Sequence, residues 1–576
     1  MTRMMARLEG EFPVFQQILD PVFGSLFFSA LVAVIPLVTL FILLGVFRVK
    51  AWKASLVGLT LSILLAIVVW QMPAVQTASA TVEGALYGII PILWILVNAL
   101  WVYRLTVVTG WFEVLGERIR AISDDQRILA ILVAFCFGAL LESLAGFGAP
   151  VAISIAMLMA AGMKPVKAAV VSLLANTAPV AFGAMAAPII ALSGVTGIDI
   201  HLLSQMAGRQ TPFLAAFVPL ILVFIVDGRR GIRQTWPIAV VAGLSFAIAQ
   251  FVTSNFIAVE ITDVVASVVT VIAVLLMLRV WKPAHTIAFD RAEGSETAGG
   301  GPRTGTATSA TLVQVGEAVK VDQSLYTKAR LTWNAVMPYV VIIIVFSISQ
   351  IPVVKLWIAE TTTIHFPWPE LSITDAAGNP VGTEYKLNLL GTGGTLLLIS
   401  GIIVALAYRV SFRRAVAAYA ATLHQLRFTI VTVTAVLALA YVMNLSGQTQ
   451  SLGAALAATG AFFIVLSPAI GWLGVAITGS DTSSNALFGL LQATTAEQVG
   501  ISPILAAAAN SSAGVLGKML SPQNLAVAAA AASMAGKEGD LFRKLVWWSL
   551  GLLVVFTGLV YLQSTPLLGW MVPVAP

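Results

Sequence analysis

The chain has 576 residues, 59% of them hydrophobic and only 10% charged, with a mean hydropathy of +0.95. Soluble domains carry roughly 25% charged residues, so this composition excludes a soluble globular protein and specifies a polytopic membrane protein. The net charge of +6 does not point to nucleic acid, because the positive residues sit in short loops between apolar runs, where they orient spans.

The N-terminal stretch MTRMMARLEGEFPVFQQILD is too long and too charged for a signal n-region. The first apolar run has full-span length, so no cleaved signal is expected. A membrane-crossing helix needs about 20 apolar residues. Unbroken spans are predicted near 22–47, 52–71, 85–109, 212–227, 236–254, 259–281, 334–353, 387–408, 428–446 and 541–563. Between 282 and 330 the chain turns polar (EGSETAGGGPRTGTATSAT). That composition cannot bury a core and reads as a flexible cytoplasmic linker between a first membrane half, 1–281, and a second, 331–576. A second polar insert, 355–386, reads as an ordered external loop.

Arg and Lys set the orientation. Arg48, Lys50 and Lys53 place the first loop in the cytoplasm, as do Arg118, Arg120 and Arg127, then Arg229, Arg230 and Arg233. Arg409, Arg413 and Arg414, and Lys537, Arg543 and Lys544, do the same in the second half. Loops 72–84, 197–211, 255–258, 355–386 and 447–451 then fall outside, with Asp199, His201 and Arg209 solvated there, and both termini are outside.

Two regions in each half do not read as plain spans. Residues 128–162 leave the cytoplasm after Arg127 and return by Lys164, and ESLAGFGAP in the middle holds Glu142, Gly146, Gly148 and Pro150. Gly and Pro break helix hydrogen bonding, so this reads as a re-entrant hairpin. The next segment, 166–196, carries Asn176, Thr177, Pro179, Gly183 and Pro188 at its centre and reads as a discontinuous helix. The second half repeats the order, with a hairpin over 452–495 broken at 479–485 and a discontinuous helix over 502–533 broken at 510–523. NTAPVAFGAMAAP (176–188) aligns with NSSAGVLGKMLSP (510–522) at an offset of 334, Asn176 over Asn510. The first hairpin is entered from the cytoplasm and the second from outside, so the repeats are inverted. The expected fold is therefore an all-α polytopic membrane protein of about 12 spanning helices plus two re-entrant hairpins, built as two inverted structural repeats with discontinuous helices. Solute sites in such designs lie at the midplane, where polar backbone persists only beside protein or a wet cavity.

Glu142 and Asp481 are the acids placed at depth. A charge there costs about 2.5–3.5 kcal/mol on insertion scales. A carboxyl kept at that cost is suited to carrying a proton, so both are proton-coupling candidates; the alternative is a structural carboxylate that caps a hairpin. Lys518 is the basic residue within a discontinuous segment. It can attract a substrate carboxylate, neutralise one of the two acids, or snorkel to the interface. Candidate substrate contacts are Ser143, Gly146, Gly148, Asn176, Thr177, Ser480, Thr482, Ser483, Asn485, Asn510, Ser511, Ser512, Lys518 and Gln523. Free amides at half-helix N-termini favour an anion, and Ser, Thr and Asn cap such ends. Tyr87, Trp94, Trp101, Phe147 and Phe182 read as helix-packing residues.

Other chemistry finds no support. Cys136 is the single cysteine, the four histidines are scattered, and neither GVLGKM (514–519) nor GTGGTL (391–396) completes a phosphate or dinucleotide loop. No metal, cofactor or nucleic acid is expected.

AGFGAPVAI (145–153), NTAPVAFGAM (176–185), GSDTSSNALF (479–488) and ANSSAGV…SPQ (509–523) resemble signatures of the lactate permease family, as do GRQTPF (208–213), WPIAVVAGLSFAIAQFVTSNFI (236–257) and GKEGDLFR (536–543). The resemblance covers nearly the whole chain outside the linker and the insert. It implies a bacterial inner-membrane secondary transporter that imports L-lactate, D-lactate and glycolate by proton symport, with a lipid bilayer, small solutes and protons as its partners. A sodium-coupled carboxylate or dicarboxylate transporter of the same design is the nearest rival. An intramembrane hydrolase using GSDTS is a remote one, since no histidine base lies at depth.

Overall fold

The computed structural model describes residues 14–144, 146, 148–284, 286, 321–534 and 536–574. Phe147 and most of the expected linker lie outside these residues.

The chain opens with helices α1 (Leu26–Val46), α2 (Ala51–Val68) and α3 (Ala74–Val108), then a short amphipathic α4 (Trp111–Arg120). A first interrupted region follows: α5 (Gln126–Leu144), α6 (Ala149–Ala160), α7 (Pro165–Ala175) and α8 (Gly183–Thr196). Next come α9 (Ile200–Ala207), α10 (Thr211–Phe256) and α11 (Thr262–Val280). After residue 320 the chain continues with α12 (Lys328–Ser349), α13 (Pro352–Thr362), α14 (Gly393–Ala407), α15 (Phe412–Ser446) and α16 (Gln448–Ala457). A second interrupted region contains α17 (Phe463–Thr478), α18 (Asp481–Gln498), α19 (Pro503–Lys518) and α20 (Pro522–Ala531), and α21 (Glu538–Gln563) follows it. Ten helical stretches among the described residues are long and apolar enough to cross a membrane. The fold is therefore an all-α polytopic membrane protein.

The 355–386 insert is ordered at the end of this bundle. β1 (Phe15–Gln16) pairs in parallel with β3 (Ile373–Thr374), and β2 (Thr363–Pro367) pairs antiparallel with β4 (Glu384–Asn388). The insert rests on α3 through Trp368 Nε1, which donates to Ser79 Oγ at 3.0 Å. Gln17 Nε2 donates to the carbonyls of Asn444 and Leu445, fixing β1 to the end of α15.

Several boundaries differ from the sequence expectation. The stretch 72–84, expected as an outer loop, is helical from Ala74, because its polar residues Gln76, Thr77 and Glu83 turn inward against protein rather than water. Loop 197–211 contains α9, capped by Asp199, which accepts from the His201 amide at 2.8 Å. Arg209 in that stretch is half-buried rather than solvated, and it binds Asn255 Oδ1 at 2.9 Å and the Met571 carbonyl at 2.7 Å. Spans 212–227 and 236–254 belong to one helix, kinked at Gly228 with φ 62°. The second helix–turn–helix starts at Phe463, residues 452–457 belonging to α16.

The break expected over 510–523 is confined to 519–521, and that over 479–485 to Gly479 and Ser480. The polar residues that suggested long breaks bond sideways to neighbouring helices, so the backbone stays helical. Asn510 Nδ2 donates to Asn485 Oδ1 at 2.9 Å, and Ser511 Oγ donates to Asp481 Oδ2 at 2.6 Å. Asn176, aligned with Asn510 by sequence, sits instead at the end of α7.

The two interrupted regions interlock. α8 packs on α18 and α6 on α20, while within the second region α17 crosses α19. Small residues permit the last crossing: a Cβ at Gly471 would collide with the Asn510 backbone, and one at Gly517 with the Trp472 backbone.

Candidate functional site

Both interrupted regions turn on glycines with positive φ, 82° at Gly148 before α6 and 74° at Gly479 after α17. Left-handed backbone is cheap only for glycine. α7 stops at Ala175, and the chain reaches α8 through residues 176–182. The first turn of α8 is itself left-handed, with Ala184, Met185 and Ala186 at φ 45°, 55° and 59°. This costs roughly 1–2 kcal/mol per residue and is held by packing. These turns approach α18 and the end of α19, and a cavity of about 30 Å³ lies between them. That is room for about two waters.

Glu142, Gly146, Gly183, Ala184, Ser480, Asp481, Thr482 and Lys518 line the cavity, with Val180, Pro188 and Gly479. Glu142, near the end of α5, is 2% exposed and has both oxygens occupied. Lys518 Nζ donates to its Oε1 at 2.5 Å and Asn176 Nδ2 to its Oε2 at 2.9 Å. Of the three alternatives for Lys518, the contact made is therefore that with an acid. The lysine is 7% exposed, so its ammonium is enclosed by protein. Its own carbonyl accepts from Asn524 Nδ2 at 3.0 Å.

Asp481 opens α18. Ser480 caps this helix, its Oγ accepting from the Ser483 amide at 3.2 Å. The first amides of a helix have no intrahelical partner, so this end turns free N–H groups and a positive dipole toward the cavity. Asp481 itself is 3% exposed. Ser511 binds its Oδ2, whereas Oδ1 has no hydrogen-bond partner. Behind it runs a buried amide chain. Gln492 Nε2 donates to Asn510 Oδ1 at 3.2 Å, Asn510 donates to Asn485, and Asn485 Nδ2 donates to the Pro188 carbonyl at 3.0 Å. This chain ties α19 and α18 to α8.

The remaining sequence candidates do not converge on the cavity. Ser143 donates to the Leu140 carbonyl of its own helix, and Thr177, in the break, donates to the Leu174 carbonyl at the end of α7. Gly148 faces Asn524, where an added Cβ would lie 3.2 Å from Oδ1. Ser512 is buried with an unpartnered hydroxyl, and Gln523 is exposed on α20 with its amide oxygen beside Gly479. Besides Asp125, which is held by Arg127, two buried acids were not among the candidates. Glu83 on α3 has an unpartnered Oε2, and Asp263 in the first turn of α11 has an unpartnered Oδ2. The signal for both was an acid at the edge of an apolar run, masked by its nearness to a loop.

A helical membrane shell around broken helices, whose buried acids and single lysine meet at a small cavity, defines a permease rather than an enzyme. The family description "L-lactate permease" matches residues 29–567. The L-lactate permease of Bacillus subtilis (strain 168) is 40% identical over 580 residues, covering 97% of this chain and 99% of the relative. The glycolate permease GlcA of Escherichia coli (strain K12) is 42% identical, covering 95% of this chain and 98% of the relative. The L-lactate permease of the same strain is 38% identical, covering 97% and 100%. The chain belongs to the L-lactate permease family.

Proposed function

We propose that the protein imports L-lactate, D-lactate and glycolate across the bacterial inner membrane by proton symport. In this reading it is embedded in the lipid bilayer with both termini outside, and 1–281 and 331–576 act as inverted halves about the cavity. The names of the relatives support L-lactate and glycolate. The observation that carries the mechanism is the Glu142–Lys518 pair at the cavity.

A monocarboxylate solute and the Glu142 carboxylate compete for the same ammonium. A proton on Glu142 removes its charge and releases Lys518 to the solute. Solute and proton then cross together as a neutral load, and loss of the proton inside restores the pair and expels the solute. Asp481, at the N-terminus of α18, is the second proton-coupling carboxyl. The amides of α18 hold the solute carboxylate, and the Ser480 and Thr482 hydroxyls reach its 2-hydroxyl. Lys518 is the one basic side chain lining the cavity among the described residues. This favours a monocarboxylate over the dicarboxylate of the rival reading.

The test is uptake of radiolabelled L-lactate into proteoliposomes. One pH unit, acid outside, should give roughly tenfold accumulation per proton carried. Replacing sodium by choline should change nothing. Indifference to the pH gradient, or dependence on sodium, would overturn the proposal.

A further inference from the structure

Behind the Glu142–Lys518 pair lies an acid that this mechanism does not use. Asp263 is 0% exposed. Its Oδ1 accepts from Gln250 Nε2 at 2.9 Å, and its Oδ2 has no hydrogen-bond partner. The same Gln250 amide reaches the carbonyl of Ala178, in the break between α7 and α8, at 3.4 Å. Thr211 Oγ1 donates to Gln250 Oε1 at 3.1 Å and holds that amide in place.

α5, α8 and α10 pack on α11, which sets the helix that carries Glu142 against the one that carries Asp263. Other charges are remote in sequence from this contact. α8 and the 130–137 stretch of α5 carry none, and α10 carries none from Trp236 to Phe256; its charged residues cluster at 227–233 around the kink. α12, which also touches α11, has Lys328 and Arg330 in its first turn. Glu260, on the connection just before α11, is a further acid. Among the described residues Asp263 has no ion-pair partner. An acid in the first turn of a helix is favoured by the dipole, yet the bond Asp263 makes runs across to α10 rather than to the amides of α11.

One lysine neutralises one acid. When Lys518 turns to a solute carboxylate, Glu142 and Asp263 are left as neighbouring buried acids with no counter-ion. Two like charges in so poorly screened a place repel, and a proton held between the sites removes the repulsion. We infer that Asp263 is a further proton-holding carboxyl beside Glu142 and Asp481, which forms with Glu142 a coupled pair that retains a proton while Lys518 serves the solute. Each step breaks one O–H bond at a carboxyl or at water and forms another. The inference rests on the proton-symport reading.

The experiment compares wild type, Asp263→Asn and Asp263→Glu in proteoliposomes, measuring both pH-driven accumulation and lactate–lactate counterflow. Asp263→Asn should keep counterflow within a few-fold of wild type but lose about tenfold of accumulation per pH unit. Its uptake should also lose its steep dependence on external pH, and Asp263→Glu should restore both. Wild-type accumulation in Asp263→Asn would overturn the inference alone. So would equal loss of counterflow in both variants, which would make Asp263 a packing residue. If replacing sodium by choline in wild type reproduced the defect, Asp263 would be a cation ligand and the inference would fail. A wild type that ignores the pH gradient would remove the proton-symport reading, and this inference with it.

Discussion

The two interrupted regions share an order of elements and hold their acids differently. In α5–α8, Glu142 is locked on both oxygens, by Lys518 from the other region and by Asn176. The break there spans 176–182 and runs into a left-handed turn. In α17–α20, Asp481 has a single hydroxyl donor and a free oxygen, and the break is only 519–521. The first region meets charge with charge and depends on the second for its counter-ion. The second accommodates an acid with a neutral donor and a helix N-terminus. Glu142 therefore cannot change charge without freeing Lys518, whereas Asp481 can do so without breaking an ion pair.

Removing Lys518 breaks this contrast most severely. Lys518→Met leaves Glu142 buried and unpaired, which costs about 3–5 kcal/mol. Lactate uptake and counterflow should both vanish, and thermal unfolding in detergent should drop. The double variant Glu142→Gln/Lys518→Met should recover most of the stability and none of the uptake. Asp481→Asn should act on the other side of the comparison. It disturbs no ion pair, so stability should stay within about 1 kcal/mol of wild type, while pH-driven accumulation is lost and counterflow survives. Uptake assays run beside unfolding scans check both.

Gly514→Ala sharpens the contrast further. An added Cβ would press on the free Asp481 oxygen and on Val475 Cγ2, each 2.6 Å away. Overpacking of this kind costs about 1–3 kcal/mol, and the variant should show a weaker version of the Asp481→Asn phenotype in the same assays. Ser511→Ala should have the smallest effect. It removes one donor to Asp481, a loss of about 1 kcal/mol, or roughly a fivefold fall in uptake rate if felt in the transition state. Binding of labelled lactate by Lys518→Met, or an unaltered Asp481→Asn, would dissolve the distinction between the two sites.

Much of this architecture is readable without coordinates, for a physical reason. A charge such as Glu142, Asp481 or Lys518 inside a long apolar run has no cheap explanation, and hydropathy gives the membrane class directly. What hydropathy does not carry is the direction of a polar side chain. Asn510 and Ser511 look like a helix break, yet they bond across to α18 and leave α19 intact. Gln76, Thr77 and Glu83 look like a loop, yet they face protein. Asp263 follows Glu260 by three residues at the edge of a span and reads as interfacial, whereas the fold draws it under α5. The pairing of Glu142 with Lys518 joins residues 376 apart in the chain, and no local pattern encodes it.

The left-handed turn at Ala184–Ala186 reverses an ordinary rule of substitution. In a normal helix interior, glycine in place of alanine costs about 1 kcal/mol. At these three consecutive positions, with φ near 45–59°, glycine removes a steric penalty that every other residue incurs. A saturation library selected for heat resistance should therefore accumulate glycine at 184, 185 and 186, keep it at Gly183 and Gly194, where a side chain would meet Glu142 and Tyr87, and deplete it elsewhere in α8, and a β-branched residue at 184–186 should be the first to disappear.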